Sequence, residues 1–250
     1  ASSIFEDLGF LSPRTASVNI IYNKSSYPSI FQEKINKEFL ENNKLVEGPI
    51  YSGDERFVFK YDELNQSKES GISKHKLANS EWIKDSSQNY EVSAEALEVL
   101  NTVNYFYYSD VPQYDLVDYY SSQKNGIYSK FFSQIPVFDA MISALGGQHS
   151  LSRDDRRFYY DSVNRIFMPI YYDGMVSLIN TNNQFVPNNE KFDWSLNKID
   201  DLEKKILRSA SIGSKEALQR LEKINLETLL KKINKRGAEI KAKDLSSIIE

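Results

Sequence analysis

The stretch HSLSRDDRRFYYDSVNRIFMPIYYDG, residues 149–174, decides how the rest of the chain is read. RFYYD (157–161) and RIFMPIYYDG (165–174) carry the aromatic and β-branched residues of strands, and Ser-Val-Asn between them is turn chemistry. The segment therefore predicts a β-hairpin with a polar, doubly charged loop before it and Asp173-Gly174 after it. Asp173 follows a Pro-Ile-Tyr-Tyr strand, so its carboxylate is expected to emerge at a strand end rather than from a tail. By itself an Asp-Gly after a strand also reads as a plain turn, and Asp154, Asp155, Arg156 and Arg157 also read as a solvated loop of internal ion pairs.

Upstream, Ser2 or Ser3 caps a short helix through Ile4, Phe5 and Leu8, with Gly9 as its stop. ASVNIIY (16–22) and SIFQEKI (29–35) read as paired strands across a turn at NKSSYP, and NKEFLENN (36–43) has helical spacing. RFVFKYD (56–62) is a further strand candidate. Residues 63–92 are polar and read as an insertion or loop with at most one helical turn near Trp82. VSAEALEVLNTVNYFYY (92–108) is an amphipathic helix capped by Ser93, a Tyr-rich stretch with a further helix around Leu116 to Tyr120 follows, and IPVFDAMISALGG (135–147) is an apolar helix ended by a Gly pair. IDDLEKKILRSA, SKEALQRLEKI, LETLLKKINKR and DLSSIIE make the last 55 residues helical.

Composition narrows the chemistry. The 250 residues are 40% hydrophobic and 13% aromatic, enough for a buried core. A net charge of -4 argues against a nucleic-acid partner, because phosphate neutralisation needs an excess of Lys and Arg. With no cysteine there is no disulfide, thiol nucleophile or thiolate metal site, and two histidines cannot build a multi-His zinc centre. No run of eighteen apolar residues exists to span a membrane. No signal peptide is visible, and the start at Ala1 inside a helix pattern reads as a fragment or processed form.

Three stretches together resemble the CotH (spore-coat-protein-H-like) kinase family: SSIFEDLGFLSPRTASVNIIYN, IFQEKINKEFLE and the 149–174 segment. The resemblance covers roughly residues 1–62 and 130–180 and rests on the order and spacing of the stretches. It implies an α+β, protein-kinase-like two-lobed fold: a small β-rich lobe over 1–62, which need not be complete in this chain, the insertion at 63–92, and a larger, mostly helical lobe over 93–250 carrying the hairpin 157–174. It implies an ATP- and divalent-metal-dependent phosphotransferase, with Mg²⁺ or Mn²⁺, a nucleotide partner and a protein acceptor or surface-assembly partner. A cell-surface or extracytoplasmic setting is compatible with the family.

Phosphoryl transfer needs metal ions fixed on the nucleotide phosphates and a group that orients the acceptor. The resemblance assigns Asp173 and Asp155 as metal ligands, and Asp154 or His149 as the residue orienting the acceptor. Lys34, Glu33 and Arg156 fall to the cofactor, with Lys34 holding phosphates and pairing with Glu38 or Glu41. The kinase loop H-R-D-L-x-x-x-N wants a carboxylate five positions before its metal-binding Asn. Here those positions hold His149 and Ser150, and Asp154 and Asp155 stand where Asn is expected. His149 can accept a proton near neutral pH, and equally it reads as a helix-end histidine. Two other readings stay open: a catalytically silent kinase-like scaffold in a surface or coat assembly, and a carbohydrate-binding or carbohydrate-active protein built on the aromatic runs.

Overall fold

The computed structural model describes residues 1–53, 75–108, 131–152, 155–174, 176 and 199–249. The sequence-predicted strand at 56–62 and the helix around Leu116 lie outside these residues, as does Asp154. Within them the chain is a mixed α+β structure with small antiparallel sheets, as expected.

Helix α1 (Ser2–Asp7) buries Ile4 and Phe5 and ends where Gly9 takes φ 82°. Gly9 N donates to Glu6 O and Phe10 N to Phe5 O, the paired bonds of a left-handed helix terminus. Strands β1 (Thr15–Tyr22) and β2 (Ser25–Gln32) form their own two-stranded sheet. The hairpin is tighter than the sequence suggested. Only Asn23 and Lys24 turn, with φ 48° and 65°, as a type I′ turn requires. The second strand thus begins four residues early and runs through Pro28, which faces Asn19. Counted from the Tyr22–Ser25 pair, that position does not donate across the ladder, so the missing N–H costs nothing there. Helix α2 (Lys37–Asn42) follows, its N-cap Asn36 accepting from Phe39 N.

The main sheet has the order β4-β3-β5-β6, from β3 (Ile50–Ser52), β4 (Lys76–Leu77), β5 (Arg157–Asp161) and β6 (Ile166–Ile170). The predicted hairpin is present. Asp161 Oδ1 accepts from Val163 N and Asn164 N, both at 3.0 Å, which organises its four-residue turn. Pro169 sits in β6, the last strand of the sheet, where a missing donor is tolerated. β6 also meets the N-terminal segment: Leu11 bridges Ile170, and Tyr171 N donates to Leu11 O at 2.8 Å.

Residues 75–92 hold more structure than expected. β4 pairs with β3, and a short 3₁₀ turn (Trp82–Lys84) precedes helix α3 (Ser87–Tyr108). That helix starts six residues before the predicted cap. Ser86 Oγ accepts from Asn89 N, while Ser93 lies inside the helix and its carbonyl accepts from the Tyr51 hydroxyl at 2.8 Å.

Helix α4 (Gln134–Ala144) is apolar on nearly every side because it is packed on nearly every side. It lies against β6 and against helix α5 (Ile199–Leu221). The α5 sequence, expected as two helices, runs unbroken through Gly213. A Cβ at Gly213 would stand 2.1 Å from the main chain of Pro136, so the glycine permits a close helix crossing. Helices α6 (Leu226–Lys235) and α7 (Ala242–Ile249) close the fold. Lys232 and Arg236 of the α6 end pair with Glu6 and Asp7 of α1.

One buried cluster joins Phe5 and Phe10 to Phe132, Phe138 and Met141 of the α4 region, and to Phe158, Phe167 and Tyr171 of the hairpin. Among the described residues the aromatic side chains of the hairpin pack in this core: Phe5 stacks on Tyr171 at 4.3 Å between centroids, and Phe132 on Phe167 at 5.6 Å. Among the described residues no helix is long and apolar enough to cross a membrane.

Candidate metal centre

The site is built from the C-terminal end of α4 and the end of the hairpin. Helix α4 stops in a glycine-dependent cap. Gly146 takes φ 65°, Gly146 N donates to Ser143 O, and Gly147 N donates to Ile142 O at 2.9 Å. A 3₁₀ turn (Gln148–Leu151) follows and carries His149. Ser152 then closes a small loop on Asp155: its hydroxyl donates to Asp155 Oδ2 at 2.8 Å and accepts from Asp155 N at 3.3 Å. This local bonding fixes the carboxylate of a buried residue, Asp155.

The hairpin brings back Asp173. Tyr171, clamped between Phe5 and the Leu11 bond, anchors the chain just before it. Asp173 adopts φ 41°, a left-handed backbone that Asp tolerates better than most residues. Close approach of the two segments depends on glycine. A Cβ at Gly147 would meet Val176 Cγ2 at 2.7 Å, and one at Gly174 would meet the Tyr171 ring at 2.7 Å.

As a result His149, Asp155 and Asp173 each offer one ligand atom, all within 4.8 Å of one another. His149 Nε2 is 3.2 Å from Asp155 Oδ2 and 4.0 Å from Asp173 Oδ2. Burial is graded across the site, with side-chain exposure of 8% at Asp155, 35% at His149 and 54% at Asp173. One end is therefore held by the protein and the other is open to a ligand.

The residues expected to serve a cofactor are placed differently. Arg156 is 4% exposed and turns inward, donating to Asp139 Oδ1 at 3.0 Å and to Leu151 O at 3.3 Å. Its carbonyl accepts from His75 Nε2 at 3.2 Å, which puts the hydrogen on that nitrogen. Arg156 thus braces the loop on α4. Glu33 receives bonds from Arg14 and from Asn42 Nδ2 at 2.8 Å. Burial pushes its carboxyl up, but these donors outweigh burial and hold it below the usual carboxylate range. Lys34 is exposed, lies two residues past the end of β2, and makes no ion pair or hydrogen bond among the described residues. The expected pairing of Lys34 with Glu38 or Glu41 is not present.

Ser152 and Asp139 also support the site, although neither is among the candidates named from the sequence. Asp139 left a signal: it is the one charged residue in the apolar helix QIPVFDAMISA and is fully buried. An acid in such a place demands a buried cationic partner. Compared with known proteins, the chain matches no family model and no curated sequence.

Proposed function

We propose that the chain is a divalent-cation- and ATP-dependent phosphotransferase of kinase-like, two-lobed fold, with protein side chains as acceptors. The observation that carries this reading is the convergence of His149, Asp155 and Asp173. Donors about 2.1 Å from a shared octahedral ion stand about 3.0 Å apart when adjacent and about 4.2 Å when opposite. The separations of 3.2 and 4.0 Å to His149 fit that range. Two carboxylates and one imidazole are a mixed oxygen and nitrogen set, which favours Mn²⁺ over Mg²⁺. Such an ion, when bound, neutralises the charge on phosphate oxygens.

The protein's own residues supply the rest. Asp155, held by Ser152, is a fixed anchor that needs little reorganisation on binding. Asp173, more than half exposed, presents its carboxylate to solvent where a phosphate ester approaches. His149 faces both carboxylates, and the lone pair of its Nε2 completes the donor set.

A catalytically silent scaffold of the same fold is the second reading. It is favoured by the engagement of Glu33 with Arg14 and of Arg156 with Asp139, which leaves neither for a nucleotide. Thermal denaturation with Mn-ATP and Mg-ATP, combined with transfer of labelled γ-phosphate, separates the two. The phosphotransferase reading expects a rise in Tm with Mn-ATP that Asp173→Ala abolishes, and label incorporation lost in the same variant. No shift with either nucleotide complex would leave the scaffold.

A further inference from the structure

Arg157 is joined to the metal centre through its neighbours along the chain, and its own contacts are unusual. It lies two residues after Asp155, and its guanidinium sits 3.3 Å above the ring centroid of Tyr172, the residue immediately before Asp173. The residue is half-buried, its Nε is fully buried, and that atom has no hydrogen-bond partner among the described residues. No carboxylate pairs with it there either, whereas its neighbour Arg156 is matched by Asp139.

A buried N–H without an acceptor is costly, of order 1–3 kcal/mol, and native proteins rarely leave one without a reason. The Tyr172 ring attracts the guanidinium but offers no acceptor to its donors. Those donors form a rigid fork whose geometry matches two oxygens of a phosphate. The charge balance points the same way. Two carboxylates offset a divalent ion, so an anionic ligand on that ion needs a further cation, and Arg157 is two residues from Asp155 in sequence and lies on the ring of the residue before Asp173.

We propose that Arg157 binds the phosphate chain of the nucleotide brought by the cation, with Tyr172 as the platform that aims it. This rests on the phosphotransfer reading above and replaces Arg156 and Lys34 as phosphate-contacting residues.

The test titrates the intact chain and its variants with Mn²⁺ alone, then with ATP at saturating Mn²⁺, after circular dichroism has confirmed folding. Arg157→Gln should keep its Mn²⁺ affinity within about twofold and lose ATP affinity by about 10- to 100-fold, the range of a charged, forked hydrogen bond. Arg157→Lys should recover only part of that loss, because it keeps the charge without the fork. Tyr172→Leu, which leaves the arginine in place, should weaken ATP severalfold and serves if Arg157→Gln does not fold. If wild type binds both Mn²⁺ and ATP and all three variants match it, the assignment of Arg157 is wrong and the metal centre stands. If wild type binds neither, the phosphotransfer reading and this inference fall together.

Discussion

Replacing Arg156 by Met removes one partner of a fully buried ion pair while keeping most of the side-chain shape. The guanidinium is 4% exposed, its Asp139 partner 0%, and their atoms are 3.0 Å apart. Breaking such a pair from one side strands a carboxylate in the interior and costs about 3–5 kcal/mol. A folded domain has only about 5–15 kcal/mol in total. At roughly 2–4 °C per kcal/mol for a chain of this size, Arg156→Met should lower Tm by roughly 10 °C. Asp139→Leu should cost about as much, since it takes the carboxylate away from a guanidinium that is only 4% exposed. The double variant Asp139→Leu/Arg156→Met removes both charges and should recover most of the loss, because a buried pair is worth little against a well-packed apolar replacement. Urea denaturation at pH 7, followed by circular dichroism for all four proteins, gives the coupling directly. A cost under about 1 kcal/mol for Arg156→Met, or single losses that simply add in the double variant, would show that the pair is not coupled in the interior.

Further outcomes follow from the same packing. Gly174→Ala would push a methyl to within 2.7 Å of the Tyr171 ring, which is itself stacked on Phe5. It should cost about 1–3 kcal/mol by overpacking and weaken Mn²⁺ uptake, measurable by denaturation and metal titration on one sample. Tyr171 is pushed up to about 12, first by burial and then by the charge of Asp173. Its neutral form is therefore favoured by folding. That contribution is complete below the ordinary tyrosine value near 10 and is lost as pH climbs from there through about 12. The fall in Tm above pH 10 should be shallower in Tyr171→Phe, and an equal slope in both proteins would count against it.

The sequence carried those features of the fold that depend on neighbours along the chain. The left-handed stop at Gly9, the glycine-terminated helix before His149 and the 157–170 hairpin all follow from local chemistry. What escaped depends on distant partners. A three-residue strand at Ile50–Ser52 is too short to show a period, and it exists because β5, over a hundred residues away, pairs with it. Helix α5 continues through Gly213 because Pro136 must come close, which no local propensity records. In the site, the spacing of Asp155 and Asp173 around a hairpin was enough to expect them together, and His149 joins them through the helix-end turn. Arg156 and Arg157 are indistinguishable in the string DDRR. Only the third dimension shows that one is spent on Asp139 and the other lies on Tyr172.

On the phosphotransfer reading, His149, Asp155 and Asp173 together hold one divalent cation. Electron paramagnetic resonance of free Mn²⁺, titrated against the chain, reports that directly and without any assay of activity. One ion should be taken up per chain, with binding weakened at least about tenfold in both Asp155→Asn and Asp173→Asn. Asparagine keeps the Ser152 contact at one position and the left-handed backbone at the other, so folding is preserved. Mg²⁺ should compete poorly, and His149→Gln should narrow that preference. Mn²⁺ left wholly free at millimolar concentration, or bound equally well by wild type and Asp173→Asn, would rule out the three-residue cation site.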